Sequence, residues 1–321
     1  MGSSSKGKPV HGGRVLRQTT LRSAIDCVGT GLHSGARTRV IFRPADPDTG
    51  IVFRRMDLPG LPAFPALWSA VEDTRLCSRL GPADGPHVAT VEHAMAALAG
   101  LGVDNCLIEI DGSELPAMDG SADPFVFLLD CAGIVEQEAP RRAIQVLERI
   151  EIGAPGRRLA LSPGRGFSID CRIAFDAAAI SEQRLTFAMT PDGFRTEIAR
   201  ARTFGFARDI NALRAAGLAR GGSLDNAVLV DGDRVVNRDG LRFPDEFVRH
   251  KILDAIGDLA LAGAPLLAHV ESDCAGHALN NRALRALFAR PSAWRRVDLT
   301  EAVGETSDTR MHGAGARRIA G

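Results

Sequence analysis

Lysine is nearly absent from this chain. It stands only at positions 6, 8 and 251, so arginine supplies almost all the positive charge of the 321 residues. The formal net charge is +0; without a field to steer a polyanion, nucleic acid is not expected as a partner. Clustered cysteines are lacking too. Cys27, Cys77, Cys106, Cys131, Cys171 and Cys274 show no C-x-x-C spacing, which fits neither a zinc ribbon nor a disulfide framework and suits a reducing compartment. No apolar run approaches the roughly 20 residues of a membrane span. The longest, Phe125 to Val135, is broken by Asp130 and reads as an amphipathic helix. No short-period repeat is found, so solenoids and propellers fall away. Residues 1–13 carry Ser, Gly and Lys without an apolar core, which predicts a disordered leader and not a secretory signal. The expected location is therefore the cytoplasm.

What is present is the profile of a soluble globular protein, with 45% hydrophobic and 24% charged residues. The length suits two compact domains. Strands and helices come grouped, not strictly alternating, which favours α+β over a doubly wound sheet. Strands are expected over 18–28, 38–42, 51–54, 68–71, 105–110, 144–152, 158–161, 167–175, 184–189 and 265–270, with a hairpin over 227–236. Helices are expected over 91–99, capped by Thr90 and stopped by Gly100, and over 121–133, 194–201, 206–216 and 282–289. Gln137 to Arg142, polar and containing Pro140, is the expected domain boundary.

One stretch concentrates the chemistry. In His250-Lys251-Ile252-Leu253-Asp254-Ala255-Ile256-Gly257-Asp258, the residues His250, Asp254 and Asp258 recur at i, i+4 and i+8, with Val248, Ile252, Leu253, Ile256 and Leu259 opposite. An imidazole and a carboxylate one turn apart can reach one cation. The same pattern also fits a solvated helical face with one i, i+4 pair. Glu92 and His93 open another helix, where adjacent side chains diverge by about 100° and can take different roles around an ion. A Glu-His pair also simply starts helices, and Ala89 and Ala97 rule out the common zinc-protease spacings. The glycine-rich turn Gly29 to Gly35 holds His33, which reads equally as a turn residue or a ligand. Phe206, Ile210 and Leu213 fall at helical spacing, as core packing or as the wall of an apolar channel.

Taken together, His93, His250 and Asp254 would be three metal ligands from two helices, leaving a position for water as catalytic zinc sites do. Glu92 would then be the base beside that water and His277 a separate acid, its second ring nitrogen held by Asp258. Lys251 and Thr203 would stabilise an oxyanion.

Seven ordered strings carry a resemblance. They are Val-Gly-Thr-Gly-Leu-His-Ser-Gly (28–35), Thr-Val-Glu-His (90–93), Met-Asp-Gly-Ser-Ala (118–122), Ala-Arg-Thr-Phe-Gly-Phe (201–206), Gly-Gly-Ser-Leu-Asp-Asn-Ala (221–227), the run from Phe243 to Leu259, and Gly-His-Ala-Leu-Asn-Asn (276–281). Spread from Thr20 to Leu287, they resemble the UDP-3-O-acyl-N-acetylglucosamine deacetylases, zinc enzymes of lipid A biosynthesis in Gram-negative bacteria. The resemblance implies an α+β fold of two similar domains, each a β-sheet layered against helices, with the active site at their interface. On this sequence that gives a leader (1–13), an N-terminal domain (14–138), a C-terminal domain with an insertion for the acyl passage (139–303) and a flexible tail (304–321).

The resemblance also implies roles. His93, His250 and Asp254 hold one catalytic Zn2+, with Fe2+ able to occupy the same donors; Glu92 is the general base, His277 the proton donor, and Asp258 its support. Thr203 and Lys251 contact substrate or intermediate, Phe204 and Asp209 lie at the sugar site, Phe206 and Ile210 wall the acyl passage, and Leu76 and Cys77 border the site. The implied partner is a small UDP-sugar bearing a fatty acyl chain, handled by a monomer. Two departures, Ala177-Ala178 where many members have His-Pro and Cys274-Ala275 where Lys-Ser is frequent, bear on nucleotide contacts and not on hydrolysis. The rivals are a zinc amidohydrolase for another acylated amine and a non-enzymatic module closed around a metal.

Overall fold

The computed structural model describes residues 15–300 apart from 59, 61, 62 and 83; the expected leader lies outside the described residues, as does the expected tail. Alternating burial builds the first layer. Along Arg37–Pro44 the side chains of Thr38, Val40 and Phe42 turn inward while Arg37 and Arg39 face solvent, the period-2 pattern of a one-sided sheet. That strand lies in a five-stranded sheet ordered Ile25–Thr30, Arg37–Pro44, Cys106–Ile110, Ile51–Arg55 and Phe64–Pro65, mostly antiparallel with one parallel pair. Helices α1 (Glu92–Leu101) and α2 (Asp123–Ala132) cover its inner face, where Phe125 meets Phe42 edge to face at 6.0 Å.

A second, seven-stranded sheet is built on Leu266–Asp273, which alternates buried and half-buried along its whole length. It pairs antiparallel with Arg157–Pro163 and parallel with Phe167–Ala174 and Arg142–Val146. Between these sheet layers runs a helix pair. The chain reaches it through α3 (Pro191–Gly193), a π turn (Phe194–Ile198), and α4 (Ala207–Ala215) beside the small sheet of Phe204–Phe206, Val228–Asp231 and Arg234–Val235. Then α5 (Glu246–Ala260) crosses α1, and α6 (His277–Phe288) packs against α5.

The crossing is close because α1 carries Ala94, Ala96, Ala97 and Ala99 and α5 offers Gly257. A Cβ at 257 would overlap the carbonyl oxygen of Glu92, so only glycine lets the two backbones touch there. The result is an α+β architecture with α1 and α5 layered between two sheets.

Several expected boundaries move. The strand expected over 18–28 is two, Arg17–Leu21 and Ile25–Thr30. Trp68–Ala70 is a 3-10 turn and the strand begins at Val71. Gly100 does not stop α1: it is buried inside the helix, and Gly102 ends it at φ 74°. The cap is Val91 with no side-chain bond, because Thr90 instead takes φ 57°, a strained setting for a β-branched residue. The helix expected over 194–201 is the π turn, Phe206 ends a strand instead of opening α4, and α6 starts at His277, five residues before the expected Arg282.

Candidate active site

Helix α5 presents one ridge at four-residue steps: Glu246, His250, Asp254 and Asp258. None of it is solvated, with relative exposures of 0%, 2%, 3% and 2%. The alternative of a solvated face therefore falls, and burial of that much charge demands partners. Helix α1, crossing at Gly257, adds His93 from its first turn. One donor atom each from His93, His250 and Asp254 lies within 4.8 Å of the others. Asp254 Oδ1 is 3.5 Å from His93 Nε2 and 3.4 Å from His250 Nε2, and the two imidazoles stand perpendicular at 5.1 Å.

The surrounding bonds aim these donors. His250 Nδ1 donates to the Ala201 carbonyl at 3.1 Å, which fixes the tautomer whose Nε2 lone pair faces the cluster. Burial pushes the His250 pKa down to about 4, only partly opposed by Asp254, so the ring is neutral and free to ligate. Lys251 Nζ bonds the other Asp254 oxygen at 2.6 Å. Burial opposes ionisation of both, but neighbouring charge outweighs it: His250 and Lys251 hold Asp254 well below the usual carboxylate range, and Asp254 holds Lys251 above the usual amine value.

Two further buried groups, Glu92 and His277, interact electrostatically with the cluster and with each other. Burial raises the pKa of Glu92, against the pull of His277 and His93; its Oε2 accepts the Ser78 amide at 3.0 Å. His277 would be lowered by burial, but Asp258 overcomes this and lifts it to about 9. Asp258 is itself saturated, Oδ2 accepting from His277 Nδ1 at 2.8 Å and Asn280 at 2.7 Å, Oδ1 from Ser78 Oγ at 2.6 Å. One carboxylate made more basic by burial and one imidazolium held charged by Asp258 make a base and acid pair.

The other expected residues divide. Phe204 is at the cluster, its ring centroid 6.2 Å from that of His250, and it packs with Phe206, Phe175 and Phe247. Thr203 is held by main-chain bonds to Gly120 and Val228, beside Arg202. Cys77 borders Thr90 and Glu92; burial pushes its thiol up to about 12, so it stays protonated and is no nucleophile. Leu76 is exposed. Asp209 and Ile210 lie on α4, exposed and half-buried, with no bond to the cluster. His33 has a buried Nδ1 without a hydrogen-bond partner and feels the charge of His277.

Sequence reasoning missed Ser78 and Asn280, which fix Glu92 and Asp258, and Glu114, which gathers the amides of His33 and Ser34 and the Thr90 hydroxyl. It also missed Arg202 and Glu246 as a pair. A cavity of about 460 Å³ lies elsewhere along α1 and α5, walled by Met95, Leu98, Phe167, Met189, Ile256 and Leu259. It contains none of the cluster.

Comparison with known proteins gives the chain a family. A family model described as LpxC: UDP-3-O-acyl N-acetylglycosamine deacetylase matches residues 18–289. Among similar proteins, the UDP-3-O-acyl-N-acetylglucosamine deacetylase of Phenylobacterium zucineum is 52% identical over 291 residues, covering 89% of this chain and 99% of that protein. Those of Acidithiobacillus ferrooxidans and Idiomarina loihiensis are 49% and 46% identical over 89% of this chain and 95% and 94% of theirs. A match running through both sheet layers and the helix pair between them means that the chain belongs to the UDP-3-O-acyl N-acetylglycosamine deacetylase family.

Proposed function

We propose that this enzyme removes the N-acetyl group of UDP-3-O-acyl-N-acetylglucosamine, giving UDP-3-O-acyl-glucosamine and acetate, the committed step of lipid A biosynthesis in a Gram-negative bacterium. The observation that carries the reading is the placement of Glu92 and His277 about a His-His-Asp donor set, with their proton affinities displaced in complementary ways.

The donor set fits a metal. Two imidazoles and one carboxylate are zinc donors, three protein ligands are typical of catalytic sites, and Fe2+ accepts the same N/O chemistry. The pinned His250 tautomer is what ligation requires. A bound ion would supply Lewis acidity, polarising the acetamide carbonyl and making water a better nucleophile. Glu92 takes the proton of the attacking water, its raised pKa bringing it nearer the working pH. The amine is a poor leaving group until protonated, so His277 delivers a proton from Nε2 while Nδ1 stays bonded to Asp258. Lys251 is committed to Asp254 and acts as a fixed positive charge; Thr203 lies on the segment that carries the Ala201 carbonyl.

The aromatic group of Phe175, Phe204 and Phe206 beside His250 supports an apolar start to the acyl passage, with Ile210 on its wall and Asp209 at the sugar. Leu76 and Cys77 border the site from the other side. The division into units of residues 14–138 and 139–303 is supported by the sheets, whose five- and seven-stranded layers draw on opposite sides of it. Among the described residues no helix is long and apolar enough to cross a membrane; we place the reaction in the cytoplasm, carried out by a monomer.

The test is acetate release from UDP-3-O-acyl-N-acetylglucosamine by zinc-loaded wild type, Glu92→Ala and His277→Ala, with metal content measured in each. Each substitution is expected to lower kcat by about 10²–10⁴-fold while one equivalent of zinc is kept. A fully metallated wild type that turns over no acyl length would sink the assignment.

A further inference from the structure

We propose that the buried ion pair between Arg202 and Glu246 is a positioning device for the metal site, setting metal affinity through the carbonyl that orients His250. The inference rests on the reading of His93, His250 and Asp254 as metal ligands.

Glu246 is fully buried and Arg202 is 8% exposed. The carboxylate is saturated: Oε1 accepts from Arg202 Nε at 2.8 Å and from the Arg202 amide at 3.0 Å, while Oε2 accepts from an Arg202 guanidinium nitrogen at 3.1 Å and from the Arg242 amide at 2.6 Å. The guanidinium also donates to the Gly240 carbonyl at 2.8 Å. Both the main chain and the side chain of residue 202 are therefore clamped to one group at the start of α5.

What that clamp holds is specific. The carbonyl just before the clamped amide is that of Ala201, the acceptor for His250 Nδ1. Glu246 lies one helical turn before His250 on the same ridge of α5. The contacts thus close a ring, from Glu246 through Arg202 and Ala201 to His250 and back along a single turn of helix. A side-chain acceptor could follow a moving imidazole by rotating, but a main-chain carbonyl cannot, so its aim is only as good as its anchor. Bidentate geometry matters here, because a fork fixes orientation where a point charge does not. Stability alone does not account for the pair: apolar side chains of like volume often do as well in such places. Partners that orient a metal-bound histidine do change affinity, by about 10–100-fold when lost.

The experiment measures zinc dissociation constants by competition with a chromophoric chelator, together with thermal midpoints, on the full chain. Arg202→Lys and Glu246→Gln are expected to weaken zinc by about 10–100-fold at unchanged one-to-one stoichiometry. Arg202→Met/Glu246→Leu, which removes both charges and so leaves neither unpaired, is expected to fold and to bind zinc as weakly. Asp104→Asn breaks an Arg141 ion pair at the far end of α1 and serves as the structural control, expected to lower the midpoint without touching affinity. Folded Arg202 and Glu246 variants that keep wild-type affinity while the midpoint falls would overturn the proposal and leave the metal site standing. His250→Ala separates the two readings: if wild type and His250→Ala bind zinc equally poorly, the ligand assignment itself fails, and this inference with it.

Discussion

Helices α1 and α5 meet over the same cluster but serve it in opposite ways. α1 gives two adjacent residues, Glu92 and His93, from its first turn and carries four alanines and a glycine among the eight residues that follow. α5 gives four ionisable residues at four-residue steps along one ridge, each with its own partners. A thin helix and a chemically dense one are complementary: the density of α5 needs burial, and the thinness of α1 provides it by close approach. Elsewhere the same two helices wall a cavity of about 460 Å³ with apolar side chains such as Met95, Leu98, Ile256 and Leu259, closed by polar residues such as Asp104 and Arg141. One pair of helices therefore has a tightly bonded region and a looser one, and the contact at Gly257 falls on Glu92, which belongs to the bonded region.

That contact gives the largest expected effect. In Gly257→Ala the new methyl would overlap the Glu92 carbonyl oxygen, a backbone atom with no rotamer to escape into. The helices must separate, moving Glu92 and His93 away from His250 and Asp254. Misplacement of about 1 Å can cost about 10²-fold in rate, and overpacking of this kind costs about 1–3 kcal/mol. Steady-state kinetics and thermal unfolding of the zinc-loaded variant check both. Wild-type turnover in Gly257→Ala would mean that the crossing distance does not set the site.

A smaller effect isolates the chemistry of α5. His277 has a pKa of about 9 against an ordinary 6.5 because Asp258 faces it and Glu92 and Asp254 add to the attraction. The proton donor is thus present below about pH 9, and kcat/KM should fall as pH rises through that value. Asp258→Asn removes the largest raising influence and leaves burial, which lowers. The basic limb should move down by more than one pH unit, with about a tenfold lower rate at the wild-type optimum. Stability follows the same sign. The folded pKa exceeds the unfolded one, so protonated His277 stabilises fully below about pH 6.5 and that contribution is lost by about pH 9. Profiles of rate and thermal midpoint against pH test both; a basic limb that stays put in Asp258→Asn would assign the proton donor elsewhere.

How far the site could be read from sequence follows from the same contrast. The ridge of α5 was legible because its residues are spaced by the helical repeat, and strands such as Phe167–Ala174 were legible from their composition and alternation. Glu92 and His93 were not legible from spacing, since an adjacent acid and histidine start many helices; ordered strings resembling a family singled them out. Ser78, Glu114 and the Arg202–Glu246 pair left no local signal at all. Their partners lie 14 to 180 residues away, and only the fold brings them together. The end of α1 was misjudged for a related reason. Glycine at 100 looks like a helix stop from propensity, but tertiary packing overrides it: the ring of Phe194 occupies the space a side chain would need.

Gly100 therefore supplies the control for Gly257, and the smallest expected effect. Both glycines make room for a neighbour, one at each end of the pair. At 100 the obstacle is a buried aromatic ring, which can shift only if its surroundings yield, and overpacking should cost about 1–3 kcal/mol. Replacing an interior helical glycine returns roughly 0.5–1 kcal/mol, so the net loss in Gly100→Ala should be about 0–2.5 kcal/mol. Turnover should stay within about twofold, because a strain taken up around Phe194, two turns along α1, leaves the first turn in place. Kinetics and thermal unfolding run beside Gly257→Ala decide the matter. Comparable losses of turnover in both would mean that α1 transmits displacement along its whole length as a rigid rod; a loss confined to Gly257→Ala means that the contact at Glu92 alone holds base and metal ligand in register.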